Sequence, residues 1–171
     1  MKKIIFFFTA VILSATLANA QVPIRYQGEV DAGYSIGTGL LSQNRVNLHW
    51  VNGIRVGKYF STGLGLGFDY YHQMYDKGEL VLPIFLNLKG YLPVTEKVSP
   101  FFSFDIGASV GLTEGVSGLS GLLCTPAVGC AFKTTKKSAF LVSLGYNVQQ
   151  ISESGVSINV NAVSIKLGYQ F

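Results

Sequence analysis

Hydrophobic side chains recur at every second position along most of this chain, and this alternation constrains the fold more than any other feature. Leu48 and Trp50 flank His49, for example. The pattern fills eight segments: Tyr26–Ile36, Arg45–Val56, Thr62–His72, Glu79–Gly90, Pro100–Leu112, Leu122–Lys133, Ala139–Gln149 and the segment from Val156 to Phe171. Because the side chains of a β-strand point alternately to the two faces of a sheet, the pattern predicts eight strands.

The last segment changes parity part of the way along. Val156, Ile158 and Val160 are apolar at even positions, whereas the apolar residues from Val163 to Phe171 are at odd positions. One extra residue in a strand would restore a single apolar face. We therefore expect a β-bulge near Asn161.

Turn-forming stretches separate the eight segments. They are Gly37–Asn44, Gly57–Ser61, Gln73–Gly78, Tyr91–Ser99, Thr113–Gly121, Thr134–Ser138 and Gln150–Gly155. Short connections of this kind join neighbouring antiparallel strands as hairpins. The chain is therefore predicted to be all-β and to form an eight-stranded antiparallel up-and-down barrel.

The charged residues indicate which solvent surrounds this barrel. Only 13% of the residues are charged, about half the usual share of a globular protein. Ten charges in the strands share the polar or small-residue face: Glu29, Asp31, Arg45, Arg55, Asp69, Glu79, Lys89, Asp105, Lys133 and Lys166. A water-soluble barrel would place charges outside, whereas a transmembrane barrel has an apolar outer face and a polar interior. The pattern favours a transmembrane barrel.

Five acids and five bases on the inner face balance one another. This balance predicts a lumen closed by a network of ion pairs, in which Lys166 approaches Glu29 or Asp31 and Arg55 approaches Glu29. Eight strands enclose an interior just wide enough for side chains to fill. The alternative is a hydrated tube in which each charge is solvated separately.

The first twenty residues have the composition of a cleavable signal peptide. Lys2 and Lys3 precede the apolar run Ile4–Leu13. Ala18 and Ala20 are the small residues that a signal peptidase recognises in front of its cleavage site. We expect cleavage after Ala20, which gives a signal peptide at residues 1–20 and one barrel domain at residues 21–171.

The chain resembles the small OmpA/OmpX-type outer-membrane barrels. The resemblance runs from Tyr26 to Phe171, and its most specific part is the alternating segment Val163, Ile165, Leu167, Tyr169 and Phe171. Weaker similarities are Gly28-Glu29-Val30, the Gly63-x-Gly65-x-Gly67 run and Pro100-Phe101. The resemblance implies a Gram-negative outer membrane, with the final strand acting as the signal for the barrel-assembly machinery.

Aromatic residues near the segment ends predict two girdles at the membrane surfaces. The girdle nearer the termini would contain Tyr26, Tyr59, Phe60, Tyr91, Phe102, Tyr169 and Phe171. The opposite girdle would contain Tyr34, Tyr70, Tyr71, Tyr75 and Tyr146.

The sequence provides no recognisable catalytic, cofactor-binding or metal site. Lipid A deacylases of this architecture have a His-x-Ser arrangement on one strand. Neither His49 nor His72 begins such an arrangement. Cys124 and Cys130 lie on one strand face about 20 Å apart at 3.3–3.4 Å per residue, too far for a disulfide. Three alternating glycines, Gly63 to Gly67, are interpreted as providing space for large side chains opposite.

These observations predict a non-enzymatic outer-membrane barrel with a structural or surface-loop interaction role. The alternatives are a narrow channel or small-ligand transporter, and a lipid A-modifying enzyme. Expected partners are outer-membrane lipid, lipopolysaccharide and, during biogenesis, the barrel-assembly machinery. Nucleic acid is not expected, the chain is expected to be monomeric, and the loops do not identify a surface partner.

Overall fold

Eight antiparallel strands form a closed barrel in the computed structural model, which describes residues 22–38, 43–74, 77–112, 120–135, 137–153 and 156–171. The strands are β1 Ile24–Thr38, β2 Arg45–Val56, β3 Phe60–Met74, β4 Lys77–Tyr91, β5 Val98–Gly111, β6 Ser120–Lys133, β7 Ala139–Glu153 and β8 Val156–Gln170. Each strand pairs with the next, and β8 pairs with β1. This confirms the predicted eight-stranded up-and-down barrel, while the predicted signal peptide at residues 1–20 lies outside the described residues. No helix in the described ranges is long and apolar enough to cross a membrane.

The two ends of the barrel differ in what they carry. One end, here called the turn end, holds the start of β1, the end of β8 and the connections at residues 57–59, 92–97 and 134–138. The other, called the loop end, holds the connections at residues 39–44, 75–76, 112–119 and 154–155. The strands extend beyond the predicted segments at the loop end, so that most of the expected loop Gln73–Gly78 belongs to β3 and β4.

Hydrogen bonds at the turn end fix its connections. Gly57 has a φ of 63°, a left-handed conformation that favours glycine, and so allows the three-residue turn between β2 and β3. In the longer connection before β5, the Leu92 backbone N–H donates to the Pro100 carbonyl over 2.8 Å, and the Val98 N–H donates to Thr95 Oγ1 over 2.9 Å. The β4–β5 connection is therefore a closed hairpin despite its length.

The outward face of the barrel wall is apolar. Exposed hydrophobic residues include Leu48, Trp50, Leu64, Leu66, Phe68, Ile84, Ile106, Val128, Leu144, Ile165 and Leu167. Among the strand residues whose side chains the structure describes, no Asp, Glu, Lys or Arg belongs to this outward set. The predicted separation of apolar and charged faces is confirmed, and it is the pattern of a transmembrane barrel.

Apolar clusters divide the interior into layers. Tyr91, Phe101, Ala131, Ala139 and Leu141 pack together near the turn end. A middle cluster joins Val51, Phe85 and Leu123. A third cluster near the loop end joins Tyr71, Val81 and Val160. Polar side chains fill the spaces between these layers.

Three predictions about individual residues are wrong because they treated apolar or aromatic side chains as outward by default. Tyr71 and Tyr91 are buried in the lumen and belong to neither aromatic girdle. Val160 also points inward, and the pairing of β8 with β1 and β7 runs through Asn161 without a shift, so the expected bulge does not occur. The other girdle residues within the described ranges are exposed, and Tyr75 lies outside those ranges.

The last residue completes the closure of the barrel. Gly28 and Phe171 exchange two backbone hydrogen bonds of 2.9 Å. The Phe171 ring lies over Gly28, where a Cβ atom would come within 2.5 Å of Phe171 Cε2. A side chain at position 28 would therefore displace this ring from β1.

Candidate functional site in the barrel lumen

The structure brings most of the ten predicted lumen charges into the interior. Eight are buried: Glu29, Arg45, Arg55, Asp69, Glu79, Lys89, Asp105 and Lys166. Asp31 is half-buried on the same wall, whereas Lys133 ends β6 and is exposed at the turn end. The structure therefore places most of the predicted charges in the lumen, whereas Lys133 lies outside the closed interior.

The closest ion pair crosses the lumen between strands that are not neighbours. Lys89 Nζ in β4 lies 2.5 Å from Glu29 Oε1 in β1. The same ammonium lies 4.8 Å from the centre of the Phe101 ring, a distance that permits a cation–π interaction. Because both side chains of the pair are buried, each depends on the other for compensation of its charge.

Arg55 does not form the predicted pair with Glu29. Its guanidinium lies 3.7 Å from the centre of the Tyr91 ring, and Nη2 donates to the Lys58 carbonyl over 2.9 Å. Tyr91 in turn donates from its hydroxyl to Gln170 Oε1 over 3.0 Å. Arg55 is therefore turned towards the turn end and away from the interior charges.

Lys166 also has different partners from those predicted. Its Nζ atom lies 3.1 Å from His49 Nδ1 and 4.0 Å from Asp105 Oδ2, and among the described residues its closest ion pair is with Asp105 and not with Glu29 or Asp31. Asn87 donates to Asp105 over 2.5 Å. These contacts connect β8, β2, β5 and β4 across the middle of the barrel.

A small polar cavity lies between the Glu29–Lys89 pair and the Lys166–Asp105 pair. Its volume is about 20 Å³, and its charged lining consists of Glu29, Asp31, Lys89, Asp105 and Lys166. A cavity of this size accommodates about one water molecule. The interior therefore has space to hydrate its charges locally, but this cavity could not hold a substrate.

Asp69 organises a second group of buried polar side chains. It accepts hydrogen bonds from Asn47 Nδ2 over 2.5 Å and from His49 Nε2 over 2.9 Å. Because a lysine ammonium can only donate, Lys166 requires His49 Nδ1 to be an acceptor, which leaves the proton on Nε2 for Asp69. Ser35 extends the group by donating to Asn47 Oδ1 over 2.5 Å.

Arg45 closes the lumen near the loop end. Its side chain is 0% exposed, and Nη1 donates to Gln149 Oε1 over 3.0 Å and to the Tyr71 hydroxyl. Gln149 also accepts from the Tyr71 hydroxyl over 2.6 Å and donates to Ser109 over 2.6 Å. Among the described residues, the Asp69 carboxylate is the one within ion-pair distance, 3.9 Å from Arg45 Nε. Neutral side chains on β3 and β7 thus accept the hydrogen bonds that Arg45 Nη1 donates, and Ser109 on β5 supports Gln149.

Two glycines of β3 provide the space that the large lumen side chains require. A Cβ atom on Gly65 would overlap the Phe85 ring, and one on Gly67 would overlap the His49 imidazole. The structure thus supports the interpretation of the glycine run as room for residues opposite.

The Asp69–His49 pair resembles part of a catalytic triad but is not one. In a triad the second imidazole nitrogen faces a nucleophilic hydroxyl, whereas here His49 Nδ1 faces the Lys166 ammonium. His72 is exposed near the loop end, with its ring 5.3 Å from that of Tyr70. Cys124 and Cys130 are free and half-buried on the outward parity of β6.

Several neutral residues that complete the network were not predicted as site residues. Asn47, His49, Tyr71, Asn87, Ser109 and Gln149 all have the inward parity. This parity was the available signal, because any polar side chain on that face must find a partner in the lumen. Glu79 is an exception to this rule, since its buried Oε2 has no hydrogen-bond partner among the described residues.

The predicted assembly segment lies on the outward side of the final strand. Ile165, Leu167 and Tyr169 are exposed on β8, and Phe171 follows them beside Gly28. Val163 is half-buried on the same face. The segment is therefore accessible from outside the barrel, and its recognition during assembly remains a prediction.

Solved structures with the same architecture are similar to this chain over most of its length. Neisserial surface protein A matches 86% of this chain and 97% of its own, with a TM-score of 0.68 and 12% identity. The outer-membrane enzyme PagL matches 84% of this chain and 98% of its own, with a TM-score of 0.52 and 14% identity. The N-terminal barrel domain of Pseudomonas aeruginosa OprF matches 87% and 100%, with a TM-score of 0.50 and 12% identity.

No protein-family description and no characterised protein sequence matches the chain. These three structures include both an enzyme and a surface protein, and they are 12–14% identical to this chain. What they share with this chain is architecture. The chain has the fold of the small eight-stranded outer-membrane β-barrels.

Proposed function

We propose that this protein is a non-enzymatic, monomeric integral protein of a Gram-negative outer membrane whose lumen is closed. It acts as a structural element of the membrane or through its surface. The observation that carries the proposal is the filled lumen, where the Arg45 group, the Asp69 group and the Glu29–Lys89 pair lie at successive heights between three apolar clusters.

The main alternative is a narrow channel or a transporter of small ligands. A conducting path would have to pass Tyr71, Phe85 and Phe101, each of which is buried in a different apolar layer. The interior cavity of about 20 Å³ provides no continuous space for a hydrated ion. We therefore expect transport to require large movements of the interior side chains.

Conductance in planar bilayers tests the closed lumen directly. The purified protein is expected to insert without producing channel steps, while an open porin inserted in the same bilayer serves as the positive control. Insertion is verified separately by protease protection of the bilayer-embedded protein. Reproducible nanosiemens-level conductance from the inserted protein would contradict the proposal.

A lipid-modifying activity is the second alternative, and PagL provides a structural precedent for an enzyme on this fold. The His49–Asp69 pair is the nearest approach to hydrolytic machinery, yet Lys166 occupies the position a nucleophile would need. We expect lipid A from a deletion strain and its parent to have identical mass spectra. An acyl-chain difference that is restored by the wild-type gene would favour the enzyme.

The location rests on the apolar outer face, the predicted signal peptide and the final strand. We expect the turn end to face the periplasm and the loop end to face the exterior, surrounded by lipid and lipopolysaccharide. Deletion of Phe171 should reduce assembly by the barrel-assembly machinery without preventing export. Recovery of the wild-type chain as a soluble periplasmic protein would contradict this location.

The connections at the loop end bear on the choice between a structural role and a surface interaction. The two longest are residues 39–44 and 112–119, and the other two contain only residues 75–76 and 154–155. Replacing each long connection by a glycine–serine segment of equal length, followed by capture experiments in nanodiscs, separates the roles. A partner that is lost with one replacement indicates a surface interaction. If a deletion strain has a membrane defect and both loop-replaced proteins still restore it, the role is structural.

A further inference from the structure

A second small cavity opens at the turn end, outside the closed part of the lumen. It has a volume of about 20 Å³, and we call it the turn-end vestibule. Its principal polar lining consists of Arg25, Arg55, Ser99, Lys133, Thr135 and Lys137. None of the described side chains that line it is acidic, and Arg55, Lys133 and Lys137 make the lining basic.

Arg55 at the inner wall of the vestibule is held in a fixed orientation. Its guanidinium stacks 3.7 Å from the centre of the Tyr91 ring, and Nη2 is committed to the Lys58 carbonyl. The Tyr91 ring is itself fixed by hydrogen bonds of its hydroxyl with Gln170 and Gln27. Arg55 is therefore a preorganised donor and does not move freely in solvent.

Two buried donors of the vestibule have no acceptor. Arg55 Nε and Ser99 Oγ are both buried without a hydrogen-bond partner among the described residues. Buried polar groups are nearly always hydrogen-bonded to protein or to another molecule. An acceptor that carries negative charge would satisfy both the charged arginine N–H and the serine hydroxyl.

The exposed cations are Lys133, which ends β6, and Lys137, in the connection between β6 and β7. Thr135 Oγ1 accepts hydrogen bonds from the Lys137 and Ser138 backbone N–H groups over 3.2 and 3.0 Å. The Thr134 N–H donates to the Ser138 carbonyl over 2.9 Å. This turn holds Lys133 and Lys137 at the rim of the same vestibule.

We propose that the turn-end vestibule binds an oxyanion of the phosphate class, with Arg55 and Ser99 as inner donors and Lys133 and Lys137 at the rim. Arginine presents a planar array of donors that matches phosphate oxygens, and charge-assisted hydrogen bonds of this kind are strong and short. The space has room for about one oxygen atom, so one oxygen of the anion enters from the turn end while the rest of the group stays at the rim beside Lys133 and Lys137. The site goes beyond the proposed function and does not depend on whether the lumen conducts.

The arginine side chains provide a direct measurement of binding. The protein, purified from membranes into a detergent without phosphate groups, contains three arginines, Arg25, Arg45 and Arg55. With isotope-labelled arginine, their Nε–H signals are followed by NMR as inorganic phosphate is added. The Arg55 signal should shift saturably, whereas the signal of Arg45, buried near the loop end, should not move.

Two charge-matched variants separate a site from diffuse attraction. Lys133→Gln with Lys137→Gln removes two rim cations, and Lys58→Gln with Lys97→Gln removes two exposed cations of the same end that do not line the vestibule. The first pair should weaken phosphate binding by at least about tenfold, because the loss of even one charge-assisted hydrogen bond accounts for that change. The second pair should leave binding unchanged.

Ser99→Ala tests the inner donors without removing a charge and should also weaken binding. Folding of every variant is checked by the heat-dependent gel mobility of the barrel. No saturable shift of Arg55, or equal weakening by both lysine pairs, would overturn the proposal.

The same titration distinguishes two sources of the phosphate group. Water-soluble short-chain phosphatidylglycerol is added in place of inorganic phosphate. Tighter binding of the lipid, lost in the Lys133 and Lys137 variant, assigns the site to a headgroup at the membrane surface. Saturable binding of inorganic phosphate alone assigns it to the free ion.

Discussion

Tyr70 and Tyr71 are adjacent in β3 but face opposite sides of the barrel wall. Tyr70 is 44% exposed on the outward face, whereas Tyr71 is 0% exposed and its hydroxyl contacts Arg45 and Gln149. The outward tyrosine needs only an apolar or interfacial environment. The inward one is part of a hydrogen-bonded group, so its individual atoms matter.

The physical reason for this difference is the medium on each side. Lipid offers no hydrogen bonds, so an outward side chain is acceptable when it is apolar, and its exact shape matters little. Inside, water is restricted to small cavities, and each polar atom needs a protein partner. Substitutions should therefore obey opposite rules on the two faces, which four comparisons test.

The largest effect is expected from the loss of a charge inside. Lys89→Met leaves the Glu29 carboxylate buried without its partner at 2.5 Å, which should lower the free energy of unfolding by about 3–5 kcal/mol. Denaturant titrations in lipid vesicles measure this change through the fluorescence of Trp50, the only tryptophan. Leu88→Met, on the outward parity one residue earlier, serves as the matched control.

A double-mutant cycle distinguishes ion pairing from simple loss of packing. Glu29→Gln combined with Lys89→Met should recover much of the stability lost in the single variant, because no charge is then left unpaired. The corresponding cycle between Glu29 and Arg55 should show a coupling near zero, since Arg55 contacts Tyr91 and Lys58 instead. Additive effects for Glu29 and Lys89 would mean that water solvates each charge separately.

The next largest effect is expected when a charge is added to the outward face. Leu66 is 51% exposed towards lipid, and Leu66→Arg places a charge there at a cost of about 2–4 kcal/mol near the bilayer midplane. Leu66→Ala removes the same side chain without adding charge and should cost much less. Similar losses for the two variants, measured by folding into vesicles, would show that this position does not contact the hydrocarbon core.

The two faces also differ in how well the sequence predicted them. The alternation predicted all eight strands and the inward position of charges such as Asp69, because a period of two is a local property of a strand. It failed for Val160 and Tyr91, which are apolar or aromatic but inward. The lumen contains apolar layers of its own, so hydrophobicity alone does not determine the face of a residue.

Contacts across the lumen could not be predicted for a different reason. Glu29 and Lys89 are on β1 and β4, and Lys166 reaches His49 on β2 although β8 pairs with β1 and β7. The height of a residue in the barrel depends on the stagger between all successive strands. The sequence gives parity directly, but it does not give the accumulated stagger that brings distant strands to the same height.

Removal of one hydroxyl group gives a smaller and more local test. Tyr71→Phe deprives Arg45 and Gln149 of a shared partner, so the free energy of unfolding should fall by about 1–3 kcal/mol. Tyr70→Phe removes the same atom from the outward face and should change stability little. Equal effects of the two variants would contradict a specific role for the Tyr71 hydroxyl in the Arg45 group.

The smallest expected effect comes from adding one methyl group to a glycine on each face. Gly65 faces the Phe85 ring, so Gly65→Ala forces that ring against its neighbours Val51 and Leu123. Overpacking of this kind should cost about 1 kcal/mol, at the lower end of its range, because only the far edge of the ring must move. Gly90, by contrast, has no atom within 4 Å of an added Cβ, and Gly90→Ala should be neutral or slightly stabilising because alanine loses less backbone entropy on folding. Trp50 fluorescence in denaturant titrations measures both variants, and Phe85→Leu in the Gly65→Ala background should recover part of the loss. A Gly65→Ala protein as stable as wild type would mean that the lumen repacks as readily as lipid.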